Sequence, residues 1–327
     1  MATLQTSYLG LSLANPIIAS SSGLTGTVKG VKRCEEAGAG AVVLKSLFEE
    51  QIESEVDNRE QDVDLSVHPE AEEYLQQMGR HLGPQAYLEL IESSKQQTNI
   101  PIIASVNCVS NKWWCNYAKQ IEEAGADAIE LNISLMPRDA GEDATQVEKR
   151  VVRLVDKVRQ CISIPIAAKI GPYFTALPAL ATNLRKAGAE ALVLFNRFYQ
   201  LDIDVSAMEL RPGYQFSRPT EIYQTIRWIS VLRDRVGCQL SASTGVHSAT
   251  DALKLILAGA DSVQMCSALY KHGIDVIGKV NRDIETWMGD HGFETVDSFR
   301  GKLAQSESAN PEAYERLQYI KALTGLT

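Results

Sequence analysis

Short runs of apolar, β-branched residues alternate with longer amphipathic stretches along the whole chain. Four of the runs follow one repeated junction: Glu36-Ala37-Gly38-Ala39, Glu123-Ala124-Gly125-Ala126, Lys186-Ala187-Gly188-Ala189 and Leu257-Ala258-Gly259-Ala260. A helix that ends on a left-handed glycine turns directly into the next strand. The junctions therefore predict strands at Ala41–Lys45, Asp127–Asn132, Glu190–Asn196 and Asp261–Cys266. Four more runs interleave with these: Pro16–Ser20, Ile102–Val106, Ile166–Ile170 and Gln239–Ser243. Two of them follow a proline, which is tolerated there because that position need not donate to a ladder. Helical periodicity fills the gaps, as in Trp113–Ala124 and Glu148–Cys161. Eight strand–helix alternations with parallel connectivity predict an α/β protein. A closed (β/α)₈ TIM barrel fits them better than an open doubly wound sheet.

Residues 1–327 are expected to form a single barrel domain, with excursions at about 47–90 and 197–219 and a helical C-terminal tail. Asn310-Pro311-Glu312 predicts an N-cap followed by proline at the first helical position. The first excursion carries an acidic run, Glu49, Glu50, Glu53, Glu55, Asp57, Glu60, Asp62 and Asp64, which is expected to be a solvated face.

The formal net charge of −9 argues against a surface for nucleic acid. No apolar run is long enough to cross a membrane, and the N-terminus lacks the pattern of a signal peptide. The six cysteines form no C-x-x-C pair, so no metal or iron–sulfur site is expected. These features predict a cytoplasmic protein with reduced thiols.

The residues that follow the predicted strands carry the chemistry. They are Ser20 to Gly23, Lys45 and Ser46, Asn107, Asn132 and Ser134, Lys169, Asn196, Thr244 and Gly245, and Cys266 and Ser267. In a barrel they would ring the one mouth where active sites form. Lys45 and Lys169 follow apolar runs and can stabilise negative charge in a dry mouth. The asparagines both donate and accept, which suits a heterocycle. The ends of strands seven and eight are the usual barrel site for a phosphate. From the residues alone this predicts a phosphate-bearing ligand.

The chain resembles the dihydroorotate dehydrogenase family, including the related pyrimidine-binding domain of dihydropyrimidine dehydrogenase, from about Leu9 to Leu303. The resemblance is carried by Ala14-Asn15-Pro16, Ser21-Ser22-Gly23, Val43-Leu44-Lys45-Ser46, Ile103-Ala104-Ser105-Val106-Asn107-Cys108 and Glu130-Leu131-Asn132-Ile133-Ser134. Further pieces are Ala168-Lys169, Gly171-Pro172-Tyr173-Phe174, Ser217-Arg218-Pro219 and Gln264-Met265-Cys266-Ser267. It implies an FMN-dependent oxidoreductase of pyrimidine biosynthesis that moves hydride between a dihydropyrimidine such as dihydroorotate and the flavin. Ser21, Ser22, Lys45, Ser46, Asn107, Asn132, Lys169 and Asn196 would then contact FMN or substrate. Thr244, Gly245, Cys266 and Ser267 would hold its phosphate, and Asn132, Asn196 and Arg197 would face the substrate. A homodimer is the expected assembly, and an electron-transfer partner is compatible with it.

Four departures from the family pattern stand out, one being that the glycine- and asparagine-containing substrate loop after strand two is not recognisable around His68–Gly83. Leu135 occupies the position of the catalytic base, a cysteine or serine in the family, and leucine cannot accept a proton. Arg197 stands where a serine is common. The phosphate-side glycines are thinned to Gly245. Candidate replacement bases are Ser134, Cys108, Tyr173, His68 and His81, while Arg197 and Arg211 are candidates to fix a carboxylate. The alternatives are a flavoprotein with another substrate and a catalytically silent FMN-binding barrel.

Overall fold

The computed structural model describes residues 2–51, 83–108, 114–135, 139–197, 200–213 and 215–325. His68, His81 and the acidic positions from Glu53 to Asp64 lie outside the described residues, as does the side chain of Cys108.

The chain opens with an antiparallel hairpin, β1 (Thr6–Tyr8) and β2 (Leu11–Leu13). Eight parallel strands follow: β3 (Ile17–Ala19), β4 (Ala41–Val43), β6 (Ile102–Cys108), β7 (Ala128–Ile133), β8 (Ile166–Ile170), β9 (Ala191–Leu194), β12 (Gln239–Ala242) and β13 (Ser262–Met265). β13 pairs back onto β3 and closes the barrel. A two-residue strand, β5 (Leu47–Phe48), extends the mouth beside β6. The predicted strands thus form within one or two residues of their expected ends.

Helices flank the barrel: α1 (Val28–Glu36), α2 (Pro84–Gln97), α3 (Trp114–Glu123), α4 (Ala144–Arg159), α5 (Leu177–Lys186), α6 (Ile222–Leu232), α7 (Ala249–Ala258), α8 (Ser267–His272) and α9 (Val276–Asp290). Gly38, Gly125, Gly188 and Gly259 all have positive φ, between 85° and 121°, as the repeated junction requires.

Period two sorts the strand residues. Ile17 and Ala19 face the helices, whereas Ile18, Val43, Ile103, Ala128, Ala167, Ala191 and Val193 fill the barrel interior. Alanine at Ala41, Ala128, Ala167 and Ala191 leaves room at the closed end. Tyr8, Leu9 and Leu13 of the opening hairpin pack into it. Gln239 fastens this plug, donating to Ser7 O and accepting from Leu9 N.

Excursion 197–219 contains a second antiparallel hairpin, β10 (Gln200–Asp204) and β11 (Glu209–Gly213). Several expectations need correction. Glu49 is buried rather than solvated, because it directly follows β5 at the mouth. The tail is only partly helical. α10 (Tyr314–Thr324) begins after Ala313, and Asn310 Oδ1 accepts from Ala313 N one turn earlier than a helix cap would. The thiols are not all reduced: Cys115 and Cys161 form a disulfide with Cα atoms 5.5 Å apart. The packed helices α3 and α4 bring these two positions to one seam. Cys34, Cys238 and Cys266 are free. Among the described residues no helix is long and apolar enough to cross a membrane.

Candidate active site

Continuing the count of two beyond the apolar layers sets the site. Ile18 leads to Ser20, Val43 to Lys45, Ile103 to Ser105 and Asn107, Ala128 to Glu130 and Asn132, Ala167 to Lys169, and Ser262 to Gln264 and Cys266. Polar side chains thus replace apolar ones on the inner wall as the strands approach their C-terminal ends. They line a cavity of about 1040 Å³ at that mouth.

All twelve residues expected to hold the ligand line this one cavity: Ser21, Ser22, Lys45, Ser46, Asn107, Asn132, Lys169, Asn196, Thr244, Gly245, Cys266 and Ser267. Arg197, Ser134 and Leu135 line it too. Tyr173 does not. It borders an adjoining recess with Pro172, Thr220 and Gln224, and burial pushes its phenol upward. Arg211 is also outside. It pairs with Asp204 across the β10–β11 hairpin at 3.0 Å, a surface salt bridge.

At the floor, Lys169 is buried and bonded to Glu130 Oε1 at 3.1 Å and to Gln264 Oε1 at 3.2 Å. Gln264 Nε2 donates to Glu130 Oε2 at 2.6 Å, and Ser20 Oγ donates to Gln264 Oε1 at 3.0 Å. Beside it runs a row of hydroxyls, with Ser46 Oγ 3.0 Å from Ser21 Oγ and 2.8 Å from Ser105 Oγ. Ser22 caps the turn at Gly23–Thr25, accepting from Leu24 N. Asn132 Oδ1 is buried in the wall with no partner among the described residues. A native protein seldom leaves such an acceptor bare, so the atom calls for a donor from a ligand.

At the far end, Ser217 ties down the corner. Its N–H donates to Ser267 Oγ, its Oγ accepts from Gly245 N, and Lys271 Nζ donates to Ser217 O at 2.8 Å. Ser267 keeps its own hydroxyl proton for an anion, whereas the Gly245 N–H is already engaged. His247 Nε2 sits 3.2 Å from Ser217 Oγ. Burial first and the Lys271 charge second hold its imidazole below the usual range. Burial pushes the Cys266 thiol up, against the opposing pull of Lys169.

Gly245 has φ of 80°, and a Cβ there would meet Ile222 N at 2.7 Å. Thr244 has φ of 75°, unusual for a β-branched residue, and donates through Oγ1 to Phe195 O at 3.1 Å. Arg197 clasps Glu221 through Nε at 2.8 Å and also donates to Gln215 O. Burial opposes the effect, yet the bonds from Arg197 and from Arg218 N hold the Glu221 carboxyl below its usual value. Arg150 and Glu142 form a further ion pair of 2.8 Å at the rim.

Reading the strand ends alone assigns no role to Glu130, Gln264 and Ser217. The signal for the first two was present: one polar residue inside each of the apolar runs Ile129–Leu131 and Val263–Met265. Ser217 left no such signal.

A parallel eight-stranded barrel with a buried ammonium and a polar mouth at the C-terminal ends of its strands has the form of a barrel enzyme. Comparison with known proteins makes this specific. The family model described as dihydroorotate dehydrogenase matches residues 3–288, and the chain belongs to that family of oxidoreductases acting on CH–CH groups. Similar proteins include the dihydroorotate dehydrogenase B (NAD(+)) catalytic subunits of Thermoplasma volcanium and Methanothermobacter thermautotrophicus. The first is 26% identical, covering 92% of this chain and 98% of the relative. The second is 28% identical, covering 91% and 97%. A putative dihydroorotate dehydrogenase A (fumarate) of Aeropyrum pernix is 28% identical, covering 91% of this chain and 96% of that one.

Proposed function

We propose that this chain is an FMN-dependent oxidoreductase that moves hydride between a dihydropyrimidine, such as dihydroorotate, and the flavin. The observation that carries the reading is Asn132 Oδ1, a buried acceptor without a partner among the described residues, in a wall that also holds the Lys169 ammonium. A flavin ring edge supplies an N–H donor and, when reduced, negative charge, so the donor set fits the group. The volume of about 1040 Å³ admits FMN together with a small ring.

FMN, when bound, supplies the hydride-accepting centre. Lys169 and Lys45 offer positive charge to the ring, and Asn107 and Asn132 orient its edge. Ser21, Ser22 and Ser46 line the adjoining wall. Thr244, Gly245, Cys266 and Ser267 form the phosphate corner. Asn132, Asn196 and Arg197 face the substrate. Arg197 uses three of its five donors on Glu221 and Gln215, so two remain for a substrate carboxylate.

Leu135 is buried in the cavity wall and cannot take a proton. Of the candidate bases, Ser134 lines the same cavity. Leu135 also favours a second reading, in which the flavin is kept and the substrate is another unsaturated or reduced ring. A homodimer is part of the proposal, and the projecting hairpin exposes Leu201, Ile203 and Leu210 as apolar surface for one. Two of the similar proteins are named as catalytic subunits, which favours an electron-transfer partner here as well.

The test is an absorbance spectrum of the purified protein, followed by anaerobic addition of dihydroorotate. Flavin bands that bleach support the full proposal. Bands that persist leave the flavin and exclude dihydroorotate. Absence of any bound or loadable flavin removes the cofactor reading.

A further inference from the structure

The floor of the cavity holds a closed network of three side chains. Glu130 is 1% exposed, Gln264 1% and Lys169 6%. The carboxylate accepts from Lys169 through one oxygen and from Gln264 through the other, while Gln264 O accepts from both Lys169 and Ser20. The amide orientation is fixed, because reversing Gln264 would set its NH₂ against the ammonium and its oxygen against the Glu130 carboxylate. Two of the three ammonium donors are thereby occupied, and the third remains for the cavity that Lys169 lines.

We propose that Glu130 and Gln264 are positioning residues that keep Lys169 charged and aimed at the flavin, so that its proton is in place before and after the flavin is reduced. The inference rests on the flavin reading of the cavity. A desolvated ammonium sheds its proton unless a counter-charge holds it. Among the described residues, the elements packed around the group offer no other. Tyr8 from the plug and Tyr87 from α2 feel the charge of Glu130, but burial above all drives both phenols upward, so both stay neutral near pH 7. The Cys266 thiol, beyond β13, is raised by burial and is neutral as well. Ser20 carries no charge, and Lys45 on the neighbouring wall is a like charge. Glu130 is therefore the counter-ion.

Glu130→Gln removes the charge with little change in shape. It also sets two amide NH₂ groups against each other, so that one must turn and withdraw its oxygen from Lys169. The double variant Glu130→Gln/Gln264→Glu transposes the carboxylate across the network. The new carboxylate accepts from Lys169, from Ser20 and from the new amide, and the new amide oxygen still accepts from Lys169, so every bond is restored.

The measurement is an anaerobic redox titration of the flavin-loaded protein against a reference dye, between about pH 7 and 9. Its slope counts the protons taken up with the two electrons from the reductant. The wild type is expected to take up one proton, on the flavin. Glu130→Gln is expected to take up two, the second from solvent onto Lys169, which doubles the slope. The double variant is expected to return to one. An unchanged slope in Glu130→Gln, or a double variant no better than the single, overturns the proposal. Should the single variant not fold, a folded double variant with a one-proton slope supports it, and an unfolded double variant overturns it. A wild-type protein that binds no flavin instead overturns the functional reading itself.

Discussion

Leu135→Cys is the perturbation that bears most directly on the chemistry. Leu135 is 8% exposed, lines the cavity beside Ser134, and follows β7 by two residues. A thiol there would stand where the family resemblance implies a base. General base catalysis contributes about 10²–10⁴-fold when the base is in its active form. A free cysteine with pKa near 8.5 is about 3% thiolate at pH 7 and about half thiolate at pH 8.5. The expected gain is therefore roughly 3- to 300-fold at pH 7, with a further increase of about fifteenfold on going to pH 8.5. Lys45 and Lys169 line the same cavity and favour the thiolate, which would move the rise toward lower pH. The smaller side chain leaves a gap worth about 1–2 kcal/mol of stability, too little to unfold a domain of ordinary stability.

The assay is the anaerobic bleaching of the flavin band by dihydroorotate, followed in a stopped-flow instrument at both pH values. Leu135→Ala serves as the control for the gap alone. A cysteine variant that binds flavin but reacts at the rate of the alanine variant, with no rise with pH, refutes the idea that the base is what the site lacks. The substrate would then be sought among other rings.

Three further outcomes are expected. Thr244→Gly should be more stable than Thr244→Ala by about 0.5–1 kcal/mol in urea unfolding, inverting the usual order, because a left-handed residue costs about 1–2 kcal/mol with a Cβ and glycine loses only about 0.5–1 in chain entropy; alanine proving the more stable would show that the strain is absent. Glu221 has a lowered carboxyl value in the fold, so its contribution is present above the unfolded value near pH 4.3 and is lost as the pH falls through the folded one. The wild type should accordingly lose more thermal stability than Glu221→Gln on going from about pH 5 to 3, and parallel losses would contradict the Arg197 clasp. Ser94→Ala should stabilise the protein by about 1–2 kcal/mol, since its buried hydroxyl in α2 has no partner among the described residues and alanine is the better helix former; a loss of stability would mean that a partner exists.

What could be read from the sequence divides along a physical line. Local signals were sufficient wherever one residue type answers one backbone demand. Gly38, Gly125, Gly188 and Gly259 all take the left-handed turn that marks the entry to a strand. The inner ring of the mouth was legible for the same reason, since alternation in twos fixes which side chain faces inward once a strand is placed. The seating of the opening hairpin and the disulfide were not legible, because each depends on a distant partner. Tyr8 and Leu9 read as an ordinary start of chain until the small interior of Ala41, Ala128, Ala167 and Ala191 gives them a hole to fill. Cys115 and Cys161 stand 46 positions apart, and only the packing of α3 on α4 makes them neighbours.

Glu130 and Gln264 lie between these cases, and they explain why a site can be recognised before its workings are. Each is a single polar residue inside a buried strand, at positions where a valine or leucine would pack at no electrostatic cost. That cost is tolerable only because the two residues and Lys169 satisfy one another across three strands: β7, β8 and β13. A buried charge pair is weak evidence for stability, so its presence beneath the mouth argues for a use. The same three residues replaced by apolar ones would give a barrel at least as easy to fold, but one with no fixed positive charge at the floor of its cavity.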